Sequence, residues 1–77
     1  MENIELKKGF DGYCTTYYFE YNGRNFLISF EGSKNCHLSN YTTHELDNNG
    51  KVINFCGRYI TQSPETVAIE LIKKYKL

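Results

Sequence analysis

The stretch YCTTYYFEYNGRNFLISF, residues 13–30, decides the fold. At its centre Asn22-Gly23 supplies two residues that tolerate positive φ, as a two-residue type I′ turn requires, and β-branched and aromatic side chains flank it on both sides. The pattern predicts two antiparallel strands, about Gly12 to Tyr21 and Arg24 to Glu31. A two-residue loop fixes the register, so Tyr21 faces Arg24, Phe19 faces Phe26, Tyr17 faces Ile28 and Thr15 faces Phe30. These residues share one side. The other side carries Glu20 with Asn25, Tyr18 with Leu27, Thr16 with Ser29 and Cys14 with Glu31. Phe19, Phe26, Ile28, Phe30 and Tyr17 therefore form the apolar face of a half-buried pair. Tyr18 and Leu27 are the exception: an apolar pair in the middle of an otherwise polar face, and so a candidate contact surface.

Outward from this hairpin, Asp47-Asn48-Asn49-Gly50 predicts a second one, joining His37–Leu46 to Lys51–Ile60. Its loop reads as two residues or four, each with its own register, and residues 33–46 fit a strand, a loop or a short helix. In the second arm Ile53, Phe55 and Tyr59 fall on one side and Val52, Cys56 and Ile60 on the other, as in a strand covered on both faces, which predicts a central position. Ile4 and Leu6 suggest a short first strand ending at Gly9-Phe10-Asp11-Gly12. At the other end Ser63 suits an N-cap, Pro64 the first helical position and Glu65 the positive end of the dipole, and lysines gather in the last turn. A helix over Pro64–Tyr75 would place Val67, Ala68, Leu71, Ile72 and Tyr75 on one face. The predicted fold class is α+β: a four- to five-stranded antiparallel meander with one C-terminal helix packed on one face, forming a single domain over residues 1–77.

Composition narrows the function classes. The 77 residues are 40% hydrophobic and 23% charged with one proline, which excludes a disordered chain. Nine basic residues balance nine acidic ones, so no net field attracts phosphate or anionic lipid. Lys73, Lys74 and Lys76 read as complements to the helix dipole. No apolar run reaches the length of a signal peptide or of a membrane span, which predicts a cytoplasmic protein with no membrane partner. Three cysteines, Cys14, Cys36 and Cys56, are an odd number without framework spacing and are expected as free thiols. Asn40-Tyr41-Thr42 matches a glycosylation sequon, which carries no weight without an export signal.

Chemistry is sparse. A metal site would draw on Cys14, Cys36, His37, His44 and Cys56, but the close ligand pairs of structural zinc are missing, and no cofactor or metal is expected. A thiol nucleophile with a histidine base needs concavity that a small sheet with one helix offers poorly. Glu20 and Glu31 are dispersed and propose no acid–base pair. Lys8-Gly9-Phe10 opens like one strand of an RNA-recognition motif, but Asp11, Gly12 and Tyr13 break the pattern and the second helix is missing. The sequence therefore predicts no enzyme. It predicts a protein-binding module with Tyr18, Leu27, Glu20, Tyr41 and Arg58 as contact residues, and a tendency to form a homodimer. The frequent Asn, Lys, Tyr and Ile associate with AT-rich genomes and suggest an inhibitor of a host protein encoded by a phage or mobile element. The alternative is single-stranded nucleic-acid binding by Tyr18, Tyr41 or Tyr59 with Arg24 or Arg58, which zero net charge disfavours.

Overall fold

The computed structural model describes residues 4–10 and 12–76. Its elements are β1 (Lys7–Phe10), β2 (Thr15–Tyr21), β3 (Arg24–Ser33), β4 (Ser39–Leu46), β5 (Val52–Thr61) and α1 (Pro64–Tyr75). The strands form one five-stranded sheet in sequence order, every pair antiparallel, and α1 packs against it. This is the predicted α+β meander.

Asn22 and Gly23 adopt φ of 52° and 77°, the backbone of a type I′ turn. The register between β2 and β3 follows from it: Tyr21 pairs with Arg24, Phe19 with Phe26, Tyr18 with Leu27, Tyr17 with Ile28 and Thr16 with Ser29. The second turn is neither of the two predicted lengths. Asp47 N–H donates to the Lys51 carbonyl at 2.8 Å, and Gly50 N–H donates to the Asp47 carbonyl at 3.0 Å. Gly50 sits at φ 82°, so Asn48-Asn49-Gly50 is a three-residue loop ending in a left-handed residue. The Asp47 carboxylate fixes it by accepting from the N–H groups of Asn49 and Lys51.

Helix α1 starts where Ser63 Oγ accepts from Thr66 N–H at 3.3 Å with Pro64 behind it, and it ends at Lys76, which is left-handed at φ 55°. Its buried stripe of Val67, Ala68 and Leu71 lies on Phe19, Phe26, Ile28, Tyr41 and Cys56, with Tyr17, Tyr21, Phe30, Tyr59, Ile72 and Tyr75 packed around them. Phe19 and Phe26 stack with centroids 5.1 Å apart, and Phe30 meets Tyr41 edge-on at 5.9 Å. One face of the sheet is thus the core; among the described residues no helix covers the other.

Five expectations are corrected. β5 is an edge strand, not a central one. Its register against β4 shifts twice, at Ile53 and at Cys56, so the sides read from strict alternation do not hold along the strand. Cys56 turns into the core at 1% exposure, whereas Val52, Ile53, Phe55 and Ile60 stand about half exposed. The first strand is Lys7–Phe10, not Ile4–Leu6, because Ile4 and Leu6 are used as packing against the core; Asp11 of the predicted turn lies outside the described residues. β2 begins at Thr15, and Gly12-Tyr13-Cys14 bend ahead of it. β4 begins at Ser39 rather than His37, because the Asn35 side chain accepts from the N–H groups of His37 and Leu38 and holds that segment as a turn.

Candidate functional site

The ladder registers define the helix-free face row by row. Lys7, Tyr18, Leu27, His44 and Phe55 form one row across all five strands. Gly9, Thr16, Ser29, Thr42 and Arg58 form the next, and Glu20, Asn25, Leu46 and Val52 lie on the turn side of the first. Ile60, paired with Asn40, completes the face. The His44 and Phe55 rings meet at 5.3 Å. Tyr18 lies beside β1: a Cβ on Gly9 would meet its ring at an ordinary contact distance of 3.5 Å and press on Thr16 Oγ1 at 3.1 Å. Thr16, in the same row as Gly9, is 2% exposed. Tyr18 remains 39% exposed, Val52 50%, Phe55 57% and Ile60 47%.

Polar groups on this face are partly fixed. Thr42 Oγ1 donates to Glu31 at 3.0 Å, and the Cys14 thiol lies 3.9 Å from the same carboxylate. His44 Nδ1 is buried without a hydrogen-bond partner among the described residues. Lys7 and Arg58 set two positive charges against the negative charges of Glu20 and Glu31, so the face carries both signs.

Of the predicted contact residues, Tyr18, Leu27, Glu20 and Arg58 share this face. Tyr41 does not. It lies on the core face at 4% exposure, and burial pushes its phenol pKa up. Tyr59, opposite Tyr41, also packs against the core. The residues that strict alternation missed are Val52, Phe55 and Ile60. Their apolar character was visible in the sequence, but it read as a sign of coverage by the chain itself.

Arg24 is on the core side and already engaged. It donates to Glu45 through Nε at 2.9 Å and Nη2 at 2.8 Å, and its guanidinium lies 5.0 Å from the Tyr75 ring centroid. This two-pronged bond holds the Glu45 carboxyl below its ordinary pKa and raises that of Arg24. A carboxyl pKa depressed by folding adds stability above the unfolded value of about 4.3, and that stability is lost as the pH falls through the folded value. Glu45→Gln is therefore expected to cost about 1 kcal/mol at pH 7. The gap between variant and wild type should close below about pH 4 in thermal melts; a gap unchanged by acid would refute the ion pair.

No reacting pair is assembled. His44 and Cys56 lie on opposite faces of the sheet, and Cys36 and His37 share an exposed loop. Cys56 is buried beside Tyr75, whose phenol is pushed up to about 12 first by its hydrogen bond with that thiol and then by burial. Among the described residues no three His, Cys, Asp or Glu side chains cluster as metal ligands, and no helix is long and apolar enough to cross a membrane. Comparison with protein-family models, with curated proteins and with solved structures found no match to this chain.

Proposed function

We propose that the chain is a non-enzymatic protein-binding module whose contact surface is the helix-free face of the sheet. The observation that carries this reading is the exposure of Tyr18, Val52, Phe55 and Ile60, with Leu27 among them, on one continuous face. They offer on the order of 300–400 Å² of apolar surface, within the size of the largest apolar patch on a typical monomer, which is often functional. Tyr18 and Leu27 lie toward the middle of this face and Val52, Phe55 and Ile60 along its β5 edge, with Lys7, Glu20 and Arg58 among them, so apolar and charged groups alternate as they do in a protein contact. Such a chain acts by occlusion. An inhibitor encoded by a phage or mobile element, working on a host protein, is the finer form of this reading, and the AT-leaning composition accords with it.

The nucleic-acid alternative keeps Tyr18, His44, Phe55 and Arg58 as stacking and cationic groups. It loses Tyr41 and Tyr59 to the core and Arg24 to Glu45. The branched side chains of Val52, Leu27 and Ile60 interleave with the remaining rings, which suits a protein surface better than a stack of bases.

The test is capture from the lysate of the native host with three immobilised forms: wild type, Phe55→Ser on the face, and Glu70→Ala on the exposed side of α1. A protein retained by wild type and Glu70→Ala, and reduced at least about tenfold by Phe55→Ser, is the expected result. Capture indifferent to Phe55→Ser, or recovery of nucleic acid in place of protein, would overturn the reading.

A further inference from the structure

Reading the helix-free face as a contact surface leaves its occupant open, and resting on that reading we infer that in the free protein the occupant is a second copy of this chain, packed sheet face against sheet face. The edges of the sheet are the usual route to self-association, and both are blunted. β1 is four residues long and opens with Lys7 and Lys8. β5 is interrupted at Ile53 and Cys56. Lys74 Nζ reaches from α1 to donate to the Cys56 carbonyl at 3.0 Å, taking up a main-chain acceptor in the middle of that edge. A copy cannot extend the sheet without displacing these devices, and apart from Phe10 and Tyr13 by β1 the exposed large apolar side chains lie on β5 or on the face.

Charge favours an identical partner. Lys7 and Arg58 against Glu20 and Glu31 give the face two charges of each sign. A surface of uniform sign finds no match there, whereas two-fold symmetry sets each copy's residues of one sign within reach of the other's residues of the opposite sign, twice over. The dimensions fit as well. Five strands about 4.8 Å apart, paired over about six residues at about 3.3 Å each, make a face of roughly 400–500 Å² in plan. Two such faces bury on the order of 1,000 Å², the threshold for a specific contact and in the range of a weak, reversible dimer. Sheets stacked about 10 Å apart interleave their side chains, and Tyr18 and Leu27 supply the central relief for that packing and Phe55 that of the β5 edge. Binding of another protein through the same face would then compete with the dimer.

Sedimentation velocity from about 1 to about 200 µM tests this, spanning the affinities expected of a contact this small. Wild type should shift from monomer to dimer across the range. Phe55→Arg should stay monomeric, with its folded state verified by circular dichroism. Phe10→Ser removes an apolar residue of similar exposure that the register places on the core side of β1, and should dimerise like wild type. A charge exchange gives an independent readout: Glu20→Lys and Arg58→Glu should each weaken self-association at least about tenfold, and their equimolar mixture should restore it. A wild type monomeric throughout, a dimer that survives Phe55→Arg, or equal loss with Phe10→Ser would overturn the inference. If a monomeric wild type still captures a protein through Phe55, the inference fails while the functional reading stands; loss of both removes both.

Discussion

Phe19→Ala is expected to unfold the protein, while Tyr18→Ala, one position earlier, leaves it standing. Phe19 is 5% exposed and stacks on Phe26, itself at zero exposure, beneath α1. Removing a buried ring costs about 3–5 kcal/mol, which is the whole net stability of a domain this small. Tyr18 points to the helix-free face, 39% exposed, between Lys7 and Leu27. Its truncation should cost about 1 kcal/mol or less. Urea melts in dilute solution, where the chain is monomeric, separate the two outcomes. Equal damage from both substitutions would mean that both faces are covered within the monomer, and the contact surface would vanish with that result.

This contrast rests on the part of the fold that was most legible. A two-residue turn leaves no freedom of register, so Asn22-Gly23 assigned every side chain from Thr16 to Ser29 to a face, and Tyr18, Leu27 and Glu20 were correctly grouped for that reason. Local chemistry likewise marked both ends of α1. The second hairpin was less legible for two physical reasons. The inward positions of β4 are Tyr41, Thr43 and Glu45, so a single apolar residue marks that side. The other two are satisfied individually, Thr43 by donating to the Gly57 carbonyl at 2.7 Å and Glu45 by Arg24. Alternation is thus masked, and the sequence pattern places Tyr41 on the surface, where the register puts it in the core. In β5 the two register shifts break the period of two on which any assignment of faces depends. Periodicity also reports only that both sides of a strand are apolar. It does not say whether the second side is covered by the same chain, and for Val52, Phe55 and Ile60 it is not.

The second large effect is expected at Leu71. Leu71→Ala should cost about 2–5 kcal/mol, because Leu71, Val67 and Ala68 are fully buried and form the strip by which α1 seals the sheet. A helix of 12 residues is marginal when it stands alone, so weakened docking is a threat to the helix as well as to the sheet. Freed from α1, Phe26 and Ile28 would meet water on the core face while Phe55 and Val52 already meet it on the other. A five-stranded sheet wetted on both sides has little left to hold it together. Helical circular dichroism and tyrosine fluorescence should therefore be lost in a single transition, at a lower denaturant concentration than in wild type. Lys73→Ala, on the exposed side of the same helix, should change stability by no more than about 0.5 kcal/mol. Loss of the helical signal with the sheet amides still protected from exchange would show that the sheet stands without α1. One dry face would then no longer be the condition of the fold, and the asymmetry that leaves the other face free to bind would have no structural basis.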